Sequence, residues 1–90
     1  DMINTAFLLM ARYNAAPVIE LETVRRDWFS HLDMKQFVTK LNKGQIALPV
    51  VRSDGSSQQT QKGVALAELA RYLDDRMHAA SKELEQLRPH

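Results

Sequence analysis

Ninety residues with a hydrophobic fraction of 44% supply one modest core and at most an appendage, and the absence of cysteine excludes both a disulfide framework and a thiolate zinc site. The histidines His31, His78 and His90 are too scattered for a metal cluster, so neither metal nor cofactor is expected. A net charge of +1 says little as a total, but its distribution is uneven: residues 33–62 carry five Lys or Arg against two Asp, a net +3, while residues 1–32 and 63–90 each sum to −1.

Asp1, ahead of Met2, is read as an addition outside the native chain. The apolar run from Thr5 to Ala11 is far shorter than the roughly 20 residues of a membrane span, and no basic segment precedes it as in a signal peptide, so a cytoplasmic protein is expected. Asn4 is placed to cap a helix over residues 5–13 with Phe7, Leu8 and Ala11 as its apolar stripe, and the segment up to Pro17 ends it. Val18-Ile19 reads as a short third strand. From Leu21 a helical period returns: Leu21, Val24 and Trp28 share one face, with Phe29 beside them. Residues 30–33 break the period. Asp33 with Gln36 forms a capping box for a second helix, in which Met34, Phe37, Val38 and Leu41 point inward and Gly44 sits just past the end.

Ile46–Arg52 alternates like a strand, with Pro49 restricting it to an edge or a two-stranded ribbon. The polar stretch Ser53–Gln61 is a turn-rich tip, after which Lys62–Ala65 returns as a strand. From Leu66 to about Arg88 a long helix follows, with Leu66, Ala70, Leu73, Met77, Ala80, Leu84 and Leu87 in alternating steps of four and three. That seam predicts a homodimer through Leu73, Met77, Ala80, Leu84 and Leu87, with Glu83 and Arg88 paired across a parallel interface. The expected fold is mainly α with a small β wing, a winged helix-turn-helix in residues 1–74 whose last helix, residues 66–90, continues as the dimerisation element.

Two helices, a tight turn and a wing suit the reading of double-stranded DNA. The outward side chains of the second helix are Lys35, Gln36, Thr39, Lys40, Asn42 and Lys43, and of these Lys35, Gln36, Thr39, Lys40 and Lys43 are the candidates to reach base edges and phosphates from a major groove. Arg26, on the preceding helix, and Arg52 and Lys62, flanking the tip, are candidates for backbone contacts. Arg25 and Arg26 serve equally well as surface partners of Glu22 or Asp27. His31 in the turn reads as structural, and Trp28, Phe29 and Phe37 as core, not a base-stacking platform.

The stretches Asn4–Ala11, Arg26–Leu32, Leu48-Pro49 and Lys62-Gly63-Val64 resemble the pyocin activator family, small transcriptional activators associated with phages and bacteriocins. The similarity extends over roughly residues 3–85. Trp28 stands where the family has Tyr, and Gln58–Gln61 is less basic than the family's wing tip. The resemblance implies binding to repeated boxes upstream of pyocin or prophage genes and activation of their transcription during the DNA-damage response. His31–Asp74 is also similar, more weakly, to the winged helices of phage excisionases and MerR-type regulators, which is what the resemblance contributes to the fold.

An enzyme is not expected: there is no nucleophile elbow, phosphate-binding loop or metal-ligand spacing, and the glycines stand singly. Two readings of different kinds remain. One is an activator that binds DNA as a dimer and touches RNA polymerase through Glu68, Arg71 and Asp75 or through the first helix. The other is an excisionase-like architectural protein that bends DNA. An adaptor that uses the seam to hold another protein's helix is a weaker third.

Overall fold

The computed structural model describes residues 4–53 and 61–88, in the order α1 (Thr5–Arg12), β1 (Val18–Glu20), α2 (Leu21–Trp28), α3 (Met34–Asn42), β2 (Val51–Ser53), β3 (Gln61–Ala65) and α4 (Leu66–Leu87). With an antiparallel sheet in the order β1-β3-β2, this is the winged helix-turn-helix expected from the sequence. Of the polar tip, residues 54–60 lie outside the described residues.

β3 is the central strand: Ile19 faces Val64 on one side and Arg52 faces Lys62 on the other. Gly63 makes that closure possible. A Cβ there would sit 2.6 Å from Val18 Cγ1 and 2.7 Å from the Ile19 carbonyl oxygen, so β1 reaches hydrogen-bonding distance only because the side chain is absent. The strand expected over Ile46–Arg52 forms only from Val51. Pro49 has no N–H for a ladder, and Ile46 and Leu48 are instead buried from an irregular segment in the alternation foreseen for them.

α1 is rotated from its expected orientation. Asn4 caps it as anticipated, its side chain accepting from the Phe7 N–H at 3.2 Å, but Ala6, Leu9 and Tyr13 face the core, while Phe7 is 68% exposed and Leu8 and Ala11 are also outside. The helix is apolar almost all round, so periodicity alone does not choose a face. Packing against α4 chooses it, with the Thr5 hydroxyl donating to the Asp74 carboxylate. The helix also ends before Pro17 acts, because Asn14 and Ala15 turn left-handed with φ of 57° and 59°.

The core gathers Leu9, Val24, Phe29, Phe37, Val64 and Leu69 from five elements and the turn after α2. Trp28, expected inside, lies at its margin. α4 divides in two. Leu66, Leu69 and Ala70 are buried and Tyr72 and Leu73 half-covered, whereas Met77, Ala80, Leu84 and Leu87 are exposed. Leu69, outside the seam foreseen from the sequence, is thus among the most buried residues, because the sheet and α1 approach α4 from sides that a two-helix pattern does not describe.

Candidate nucleic-acid interface

The turn between α2 and α3 is built by local chemistry. The Asp33 side chain accepts from the Gln36 N–H at 2.7 Å and the Gln36 side-chain oxygen accepts from the Asp33 N–H at 3.0 Å, a reciprocal box that starts α3. At the other end Gly44, with φ of 73°, lets its own N–H reach the Leu41 carbonyl and the Gln45 N–H reach the Lys40 carbonyl at 2.9 Å. Both termini are therefore fixed, and the nine residues between them turn one face to the core and one to solvent.

Steps of about 100° per residue place Gln36, Thr39 and Lys43 along the middle of the outer face, with Lys35 and Lys40 at opposite margins. All but Lys40 are exposed. Lys40 is half-buried, its ammonium 3.4 Å from Gln45 Oε1, and it borders a groove of about 390 Å³ together with His31, Tyr72 and Arg76. Gln36 keeps its amide NH₂ as a donor, since its oxygen is engaged in the box.

The two arginines of α2 separate cleanly. Arg25 forks onto Glu22 at 2.8 and 3.0 Å and donates to the Leu32 carbonyl at 2.9 Å, so it braces the turn. Arg26 is exposed, with a 3.3 Å contact to Asp27. Arg52 and Lys62 are both exposed and stand directly opposite each other in register on the β2–β3 ribbon. Like charges facing across strands are unfavourable in isolation. An anion between them removes that penalty.

Behind this surface, α1 is fastened to α2 by a polar network that the sequence reading did not find. The Tyr13 hydroxyl donates to Asp27 at 2.7 Å and accepts from the Trp28 indole N–H at 2.9 Å, while the Arg12 guanidinium approaches Asp27 to 3.5 Å and lies over both rings. The available signal was a Tyr and a Trp at the edges of apolar faces, residues that seek a partner for their polar end when partly covered. The Tyr13 hydrogen bond holds Asp27 below the usual carboxylate range, aided by Arg26 and Arg12 and opposed by burial. Burial and the bond to Asp27 push Tyr13 above the usual phenol range.

A depressed carboxylate contributes stability that is present above its unfolded titration and is lost as pH falls through its folded value; a raised phenol contributes below its unfolded titration and loses that contribution as pH rises through its folded value. The network is therefore complete between mild acid and mild alkali. Tyr13→Phe is expected to lower stability by about 1–3 kcal/mol at neutral pH and to flatten the acid limb, as read from urea midpoints between about pH 3 and 7. An unchanged acid limb would show that Asp27 is held down by the arginines alone.

Among the described residues no group of His, Asp or Glu is arranged to hold a metal, and no helix is long and apolar enough to cross a membrane. The sequence pattern of the family described as "Pyocin activator protein PrtN" matches residues 5–80. The chain belongs to the pyocin activator family. Its coarse role is accordingly that of a regulatory activator of pyocin genes. No curated protein and no solved structure matches it significantly. The matched span runs from the start of α1 through Ala80, so it includes α3, the ribbon and the part of α4 that covers the core.

Proposed function

We propose that this activator binds specific double-stranded DNA as a homodimer, with α3 in the major groove and the β2–β3 ribbon against the neighbouring backbone, at sites upstream of pyocin or prophage genes. The observation that carries the reading is the opposition of Arg52 and Lys62 on the ribbon that follows α3 in the chain. A helix with fixed ends supplies Lys35, Gln36, Thr39 and Lys43 for base and phosphate contacts, Lys40 joins them from its margin, and Arg26 adds a cation from α2. Gln36 reads through its NH₂ and therefore favours an acceptor on the base edge. Once bound, the protein stimulates RNA polymerase through the outer side of α4, where Arg71 and Asp75 are exposed and Glu68 half-buried. On this reading it acts in the cytoplasm, without catalysis or cofactor.

Titration of binding with salt tests this directly. Log affinity for a duplex from a pyocin-gene promoter should fall linearly with log salt, with a slope of about −0.9 for each phosphate contacted. Lys43→Ala, at an exposed position, should reduce the magnitude of that slope by about one contact if Lys43 holds a phosphate, without moving the melting temperature. Binding that is absent, or indifferent to salt, rules the reading out.

A further inference from the structure

The seam of α4 loses its first part to its own domain. Leu73 is half-covered by packing against the core, which leaves Met77, Ala80, Leu84 and Leu87, a row about 15 Å long at 1.5 Å per residue. Two such rows in parallel register make four thin layers, a small contribution to the 1,200 Å² or so that stable interfaces bury. Parallel pairing also draws on Arg88, which already meets Glu85 of its own helix at 3.6 Å.

Directly continuous with the row is an apolar groove of about 340 Å³ between α1 and α4, lined by Leu8, Trp28, Leu73 and Met77 with Arg76 at its rim. Leu8 is 53% exposed and Met77 56%, so both face outward from a folded domain. The far end of the helix presents what such a groove lacks. Leu84 and Leu87 are 56% and 80% exposed, and Glu83 and Glu85 flank them. Groove and tip therefore match in apolar character, and, with Lys82 and Arg88 balancing the two acids over the tip as a whole, the charge match is the single one between Arg76 at the groove and Glu83. The groove meets α4 at its middle, Leu73–Met77, about ten residues before the tip, so a helix cannot fill its own groove, and a second molecule running the other way fills both grooves at once.

We propose that two copies pair antiparallel, the α4 tip of each occupying the α1–α4 groove of the other. Leu84 and Leu87 of the second copy fill the space beside Leu8, Trp28 and Leu73. Arg76 and Glu83 lie one heptad apart on the same flank of the seam, and antiparallel packing brings like flanks together, so Arg76 faces Glu83 of the second copy. Two-fold symmetry makes each contact twice. The overlap then runs from Leu73, at the groove, to Leu87, and adds the groove wall on α1 to the short row from Met77 that parallel pairing uses. The proposal deepens the dimeric reading of the activator and rests on it.

The absence of cysteine allows a direct test. The unaltered protein is expected to sediment as a dimer at tens of micromolar. Single variants Leu8→Cys and Leu84→Cys, mixed while reduced and then oxidised, should give the mixed disulfide as the major cross-linked species. Leu84→Cys alone should cross-link little, because antiparallel pairing sets its two copies about 16 Å apart along the axis, beyond disulfide reach. A monomer in sedimentation overturns both the dimer and this arrangement. A dimer in which Leu84→Cys cross-links to itself, or in which the mixed disulfide fails to form, overturns only the antiparallel arrangement. DNA binding by α3 is untouched by any of these results.

Discussion

Phe37→Ala is expected to remove about 3–5 kcal/mol of unfolding free energy, read as a fall in the urea midpoint at neutral pH. Phe37 is 0% exposed, its ring centroid lies 5.0 Å from that of Phe29, and Phe29 in turn meets Tyr72 at 5.7 Å. One stack thus joins α3, the turn after α2 and α4. The void left by alanine cannot close, because the capping box and the Gly44 terminus hold both ends of α3 in place. Small domains retain only some 5–15 kcal/mol in total, so the variant should keep a much reduced margin of stability. Phe7→Ala, at the exposed aromatic of α1, serves as the comparison and should change stability by no more than about 0.5 kcal/mol. A loss below about 1 kcal/mol at Phe37 would mean that the stack is not what joins the helices.

The contrast between those two phenylalanines also explains what the sequence does and does not disclose. Phe37 recurs with Leu41 and Met34 on a helix whose other face is polar, so its inward orientation follows from the pattern. α1 offers no such contrast: Thr5–Arg12 has only its two ends polar, and a phase shift from Phe7, Leu8 and Ala11 to Ala6, Leu9 and Tyr13 exchanges one apolar set for another. Only α4, roughly sixty residues later, selects between them. The same holds for Ile46–Arg52, where alternation gave the correct inward residues, but whether a ladder forms depends on a partner strand and on the N–H that Pro49 lacks. Local rules made the capping box, the left-handed Gly44 and the antiparallel ribbon legible. Long-range contacts hid the role of Arg25, since its third hydrogen bond goes to the Leu32 carbonyl across the turn. They also hid the shift of Lys40 to the edge of a groove shared with α4.

Removing residues 77–90 should separate folding from pairing. Every fully buried residue of α4 lies at or before Ala70, and Leu73 is the last of its side chains packed on the core, so the shortened protein is expected to keep its domain and lose only its tip. Its melting temperature should become independent of concentration, and its sedimentation should give a monomer. The effect on DNA follows from linkage of two sites. On the proposed reading, the outward side chains of α3 and a short ribbon make a small DNA footprint, and a dimer turns the second half-site contact into an intramolecular event. Affinity for a duplex carrying two half-sites should therefore drop by on the order of 10²–10⁴-fold, while affinity for a single half-site stays the same. Equal losses on both duplexes would instead mean that residues 77–90 touch DNA themselves. No loss on either would mean that α3 and the ribbon specify the promoter unaided, a demanding task for a reading face centred on Gln36, Thr39 and Lys43.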